Sequence, residues 1–227
     1  MKYILKTPLF IICLIIMGII GYFIGLDISK DFATLYIYKL TCIPVRYNLL
    51  IIIVFSNYLS FKQLNCVGII LRNKSLFNFF LKSLKVEGLI VFLLFIFLHI
   101  PILYLNHEYF FRNVFLIIKI ILNGILISLV IISIIKIVDI RWKNRAISSG
   151  IVLGMFTIID IVLEYFNFFV VDDVIFDLSY LFILPYSYEF YFIIAIFLAL
   201  LIAVLTFTFV FLSLKKDYLL GNIYEKK

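Results

Sequence analysis

The chain has 227 residues, 66% of them hydrophobic and only 15% charged, with a formal net charge of +7. A soluble domain carries roughly 45–50% apolar and about 25% charged residues, so this composition excludes an ordinary soluble fold and describes an integral membrane protein. At roughly 20 residues per crossing the length holds about six membrane helices and leaves no room for a separate soluble domain.

The charge is a matter of orientation rather than of nucleic-acid binding, because the basic residues gather at the ends of apolar runs. Cys13, Cys42 and Cys66 are few, odd in number and widely spaced, which gives neither a disulfide framework nor a metal-binding spacing. Lys2 and Lys6 resemble the flank of a signal peptide, but the apolar run after them is long and ends without a small-residue cleavage site. It is expected to remain as a first span over 8–26. Within it Gly21-x-x-x-Gly25 permits close helix approach.

Residues 27–47 form an outer connection of mixed charge, with Tyr36, Tyr38 and Tyr47 suited to an interfacial belt. A second span is expected over 43–61, thinned by Ser56, Asn57 and Ser60. Next comes a long basic interruption, Lys62 to Lys85, with five basic residues and no acidic one. Charge of that density beside a span marks the cytoplasmic side. Ser75 suits an N-cap, and Leu76, Phe79, Phe80 and Leu84 recur at helical spacing, which predicts a short amphipathic helix lying on the inner face of the membrane.

A third span is expected over 86–105, with Glu87 at its inner edge beside Lys82 and Lys85, and Pro101 near its outer end. Asn106-His107-Glu108 reads as an outer turn, and a fourth span covers 110–135. Lys136, Asp139, Arg141, Trp142, Lys143 and Arg145 form a second basic cytoplasmic loop, before a fifth span over 146–166 with Gly150-x-x-x-Gly154 as another close-contact pattern. The outer segment 167–189 carries Asp172, Asp173, Asp177 and Glu189; its apolar run Leu178–Leu184 is too short to cross, and reads either as a re-entrant element or as a surface loop. In the sixth span, over 190–214, Ala195, Ala199 and Ala203 predict a smooth packing face. Fifteen of the twenty Lys and Arg residues fall on one side of this scheme, which puts both termini in the cytoplasm.

Arg72-x-Lys74-Ser75 followed by the aromatic turn Leu76, Phe77, Phe80, between the second and third of six spans, resembles the permease subunits of ABC-2-type exporters. The resemblance implies an all-α integral membrane fold with six transmembrane helices and the type V exporter-like topology. It makes 62–85 a coupling loop, in which Arg72, Lys74, Ser75, Leu76, Phe77 and Phe80 would dock on a separate ABC ATPase subunit that binds the ATP. A second permease copy, or a homologous permease, would complete the pathway. Small permeases of this kind resemble exporters of peptides or hydrophobic antimicrobial compounds in the bacterial plasma membrane, some of them conferring immunity. No Gly-rich nucleotide-binding loop occurs in the chain, so no cofactor of its own is expected. Neither His-Glu-x-x-His nor paired carboxylates with histidines occur, and no enzyme activity is expected. The alternatives from other classes are a stand-alone membrane immunity protein and the substrate-binding membrane subunit of an importer.

Four ionisable or polar positions lie inside the spans. Lys119 and Asn123 are one helical turn apart in the fourth span, as are Asp160 and Glu164 in the fifth. Antiparallel packing puts Lys119 and Glu164 at similar depths, on the order of 10 Å below the outer surface, with Asn123 and Asp160 a turn deeper. The expected arrangement is a Lys119–Glu164 ion pair above an Asn123–Asp160 hydrogen bond, either a polar patch on a transport path or structural glue between two helices.

Overall fold

The computed structural model describes residues 7–26, 36, 40, 48–55, 76–142, 144–166, 170–171, 174–175 and 188–216; within these, the side chains of 76, 145, 160, 163–166, 170–171, 174–175, 188–194 and 213–216 lie outside the description. The described chain is helical: α1 (Pro8–Gly25), α2 (Leu76–Leu105), the short α3 (His107–Arg112), α4 (Val114–Trp142), α5 (Arg145–Phe166) and α6 (Tyr188–Lys216). A helical run also covers 48–55. The exception is an antiparallel ribbon of two-residue strands, β1 (Val170–Val171) and β2 (Val174–Ile175). It falls in the segment expected outside the membrane, where the run 178–184 lies beyond the described residues.

Among the described residues, four helical stretches are long and apolar enough to cross a membrane: Pro8–Gly25, Phe77–Leu105, Val114–Trp142 and Ala195–Leu212. In α5 the apolar stretch is shorter, Ala146–Ile159. Most of the large exposed apolar side chains of these helices are Ile, Leu, Phe and Val, as in Ile15, Phe92, Phe115 and Phe207. Such surfaces suit a hydrocarbon solvent, in which backbone groups must bond within the helix.

α1 and α2 run parallel in close contact. A Cβ built on Gly21 would overlap the carbonyl oxygen of Leu98, and one on Gly25 would lie 2.9 Å from Leu105 Cδ1 and 3.4 Å from Ile102 Cα. The expected glycine contact is therefore present, with α2 as the partner. Pro101 sits inside α2 and has no N–H to give the carbonyl of Phe97, and the helix continues through it. The small-residue face of α1 packs onto the backbone beside that proline: the contacts of Gly18 and Gly21 are with the carbonyls of Phe97 and Leu98. Asn106 closes the far end by donating from Nδ2 to the Gly25 carbonyl at 2.8 Å. Asn106 is buried, and the turn expected at 106–108 is instead the start of α3.

α2 and α4 run antiparallel. Gly124 faces the ring of Phe95, which occupies the space a Cβ would need, and Lys136 faces Glu87. α5 returns alongside α4. Its N-cap is Asn144, whose Oδ1 accepts from the N–H groups of Ala146 (3.1 Å) and Ile147 (3.3 Å). α6 runs in the same direction as α4: Leu198 joins the buried cluster of Ile127, Val130, Ile131 and Ile135, and Phe209 joins Phe80, Leu84 and Ile140. The run 48–55 buries Leu49, Ile52 and Ile53 in the α1–α2 core, and Leu50 and Val54 in the α4–α5–α6 core.

Several expected boundaries change. The amphipathic helix over 76–85 and the span from Val86 are one uninterrupted helix of 30 residues. At ~1.5 Å per residue it is about 45 Å long, the full depth of a bilayer with its headgroups. No loop begins at Lys136: α4 continues to Trp142, so Lys136, Asp139, Arg141 and Trp142 are helical. At its other end, Phe110 and Arg112 belong to α3 and α4 begins at Val114. On α6 the packed face is Leu198, Thr206 and Phe209, whereas Ala199 and Ala203 are exposed. Gly150 and Gly154 meet nothing within 4 Å among the described residues. For α6 the cause is that a helix apolar on all sides carries no hydrophobic signal for which face packs.

Candidate functional site

The most concentrated chemistry among the described residues lies at the basic end of the bundle, where the N-terminal part of α2 meets the C-terminal parts of α4 and α6. Ser83 and Glu87 are four residues apart on α2 and share its buried face. Lys136 approaches from α4. Its Nζ donates to Glu87 Oε2 at 2.5 Å and to Ser83 Oγ at 2.6 Å. Ser83 in turn donates to Glu87 Oε1 at 3.2 Å, so both carboxylate oxygens are engaged. The ammonium also lies 4.6 Å from the centroid of the Phe80 ring, a cation–π position. Phe80 packs on Phe209 of α6 with ring centroids 4.7 Å apart. The ion pair is almost fully enclosed, each side chain being 1% exposed.

Asp139, one turn beyond Lys136 on α4, is also buried and accepts from Ser148 Oγ of α5 at 3.4 Å. The first turn of α5 therefore faces a carboxylate, the charge that a helix N-terminus favours. Lys136 and Asp139 thus link α4 to α2 and to α5 from successive turns.

This arrangement replaces the expected one for Glu87. Its partner is Lys136, and Lys82 and Lys85 are exposed. It also moves Phe80: a side chain 1% exposed, held between Lys136 and Phe209, is not available to the surface of an ATPase subunit. Phe77 is exposed on the outside of the bundle, 6.0 Å from the Phe207 ring. Leu76 opens α2, and its side chain lies outside the described residues, as do Arg72, Lys74 and Ser75.

The intramembrane positions are placed as follows. Lys119 and Asn123 lie one turn apart on α4, Asn123 fully buried and Lys119 partly so. Asp160 and Glu164 lie one turn apart on α5, which packs on α4. The side chains of both acids fall outside the description, and so does the proposed pairing.

A second buried polar group lies in the far half of α2. His99 Nδ1 donates to the Phe95 carbonyl at 2.7 Å, which leaves Nε2 to accept from the Tyr36 hydroxyl. Tyr36 was expected in an interfacial belt; it is fully buried. Among the described residues no three His, Cys, Asp or Glu side chains assemble into a group that could hold a metal ion.

The Lys136–Glu87 pair was not legible as a pair. Ser83 and Glu87 at i,i+4 with Phe80 and Leu84 between their turns were the available signal that one α2 face continues through Val86. Comparison with known proteins adds nothing to these observations: no family model, curated protein or solved structure matches the chain.

Proposed function

We propose that the chain is the membrane-spanning permease subunit of an exporter of the ABC-2 type, driven by a separate ATPase subunit and embedded with six crossings in a bacterial plasma membrane. The observation that carries this reading is the joint between α2, α4, α5 and α6 at the basic end. Residues 62–75, with Arg72 and Lys74, lead directly into α2. A partner that moves this segment acts on a continuous helix, whose Ser83 and Glu87 hold Lys136 of α4. Force applied at the cytoplasmic side then reaches the helices that would line a pathway.

Six crossings fit the directions of the described helices. α1 and α2 are parallel, so the chain between them has to return from one end of the bundle to the other, and the buried run 48–55 lies on that return. α5 likewise carries the chain back between α4 and α6, which run the same way. The substrate class, a peptide or hydrophobic antimicrobial compound, rests on the resemblance of the sequence. A second permease copy would complete the pathway.

The test is isolation of the complete protein in mild detergent from its native host, with identification of the bound chains. A stoichiometric ATPase subunit is expected, lost on Arg72→Glu with Lys74→Glu. Recovery of the chain without an ATPase in several detergents would overturn the reading in favour of a stand-alone immunity or binding protein.

A further inference from the structure

The parallel contact of α1 and α2 fixes relative depths. Gly21 lies against Leu98 and Gly25 against Ile102. Continued along both helices, this register places Pro8, the first residue of α1, level with Lys85. The first turns of α2 thus extend beyond the start of α1, by about 14 Å at ~1.5 Å per residue.

This overhang is two-faced. Phe79, Phe80, Ser83 and Leu84 are buried in the bundle, while Phe77, Leu81, Lys82 and Lys85 are exposed. Lys85 stands at the depth where α1 begins and Lys82 about one turn outside it, within the thickness of a headgroup layer. α4 ends at the same level. Its Ile140 shares a buried cluster with Phe80 and Leu84, and the next two residues, Arg141 and Trp142, are exposed. Apolar side chains that reach inward, basic groups at headgroup depth and an interfacial tryptophan are the chemistry of an anionic lipid surface.

We infer that the exposed rim formed by Leu81, Lys82 and Lys85 of α2 with Arg141 and Trp142 of α4 binds the headgroups of anionic phospholipids. The charge complementarity is direct. Among the described residues the exposed acid Glu108 sits in α3, at the opposite end of α2, while Glu87 and Asp139, which lie near the rim, are buried. Phe77 of the expected ATPase-docking set lies on the same overhang, but the inference does not rest on the permease reading, since its test uses this chain and lipid alone.

The experiment is thermal unfolding of the purified full-length protein in neutral detergent micelles doped with phosphatidylglycerol or, separately, with phosphatidylcholine. Phosphatidylglycerol is expected to raise Tm by about 3 °C or more above phosphatidylcholine. The combined variant Lys82→Gln, Lys85→Gln, Arg141→Gln should lose most of that difference while keeping its Tm in phosphatidylcholine. About 0.5 M salt should likewise shrink the difference for the unaltered protein, which provides the readout should the variant fold poorly. Equal Tm values in the two lipids overturn the inference. So does a phosphatidylglycerol advantage that survives both the substitutions and the salt.

Discussion

The two ends of α2 are held by opposite means. At the far end, Gly21 and Gly25 let α1 approach the α2 backbone, and Asn106 ties the carbonyl of Gly25. At the basic end, contact is made through long side chains: Lys136, Glu87 and Ser83, sealed by Phe80 and Phe209. The first contact depends on shape, and its energy comes from dispersion over a close backbone approach. The second depends on charge, and it holds only while every partner is present, since desolvating two ions offsets much of their attraction. A contact of shape tolerates no enlargement; a contact of charge tolerates no deletion of one side. Apolar replacement of both ions is a different matter.

Single substitutions should therefore break the two ends in different ways. Glu87→Ala leaves an ammonium enclosed without its carboxylate and should destabilise the protein by about 3–5 kcal/mol, read as a lower unfolding midpoint in mixed micelles. The double change Glu87→Leu with Lys136→Met should recover most of that loss. A double variant no more stable than Glu87→Ala would show that the cluster contributes more than mutual neutralisation. Gly21→Leu comes next. Its side chain would be driven into the Leu98 carbonyl, and a loss of about 3 kcal/mol is expected, with reduced monodisperse yield on gel filtration. No second-site deletion among the polar residues should rescue it.

Smaller effects sharpen the contrast. Asn106→Leu removes one interhelical hydrogen bond at the glycine end and should lower stability by roughly 0.6–1.7 kcal/mol, since such bonds are modest inside membranes. Gly154→Ala should change stability by less than about 0.5 kcal/mol, because nothing described lies within 4 Å of the added carbon. A large effect there would mean that α5 has a close neighbour that the described residues do not include.

The sequence carried the apolar helices and the Gly21–Gly25 contact, since both depend on local composition and spacing. It did not carry the extent of the helices at the basic end. Lys82, Lys85, Arg141 and Lys143 resemble a boundary between membrane and loop, whereas Ser83 and Glu87 are interleaved with the first two on the buried face of α2, and Lys136 is buried on α4. Residue type marks a charge but not the direction in which it points. Lys136 became intelligible only with Glu87 across from it, a neighbour 49 residues away. The alanines of α6 failed for a related reason: with apolar residues all round the helix, the choice of packed face was made by Leu198 and Phe209 fitting their neighbours. Lys119 and Asn123 on α4 and Asp160 and Glu164 on α5 keep the one-turn spacing that the sequence shows, on two helices that pack together.

The parallel pairing of α1 with α2 also sets an order of events during synthesis. Gly25 and Asn106, which join the two helices at the far end, are separated by 81 residues. At translation rates of about 5–20 residues per second, the glycine face of α1 waits on the order of 4–16 s before its partner is made. Two sequence-adjacent helices of opposite direction can pair as they emerge; these two cannot. During that interval the groove around Gly21 is open to any passing helix, so the nascent chain is most exposed to mispairing before α2 is complete.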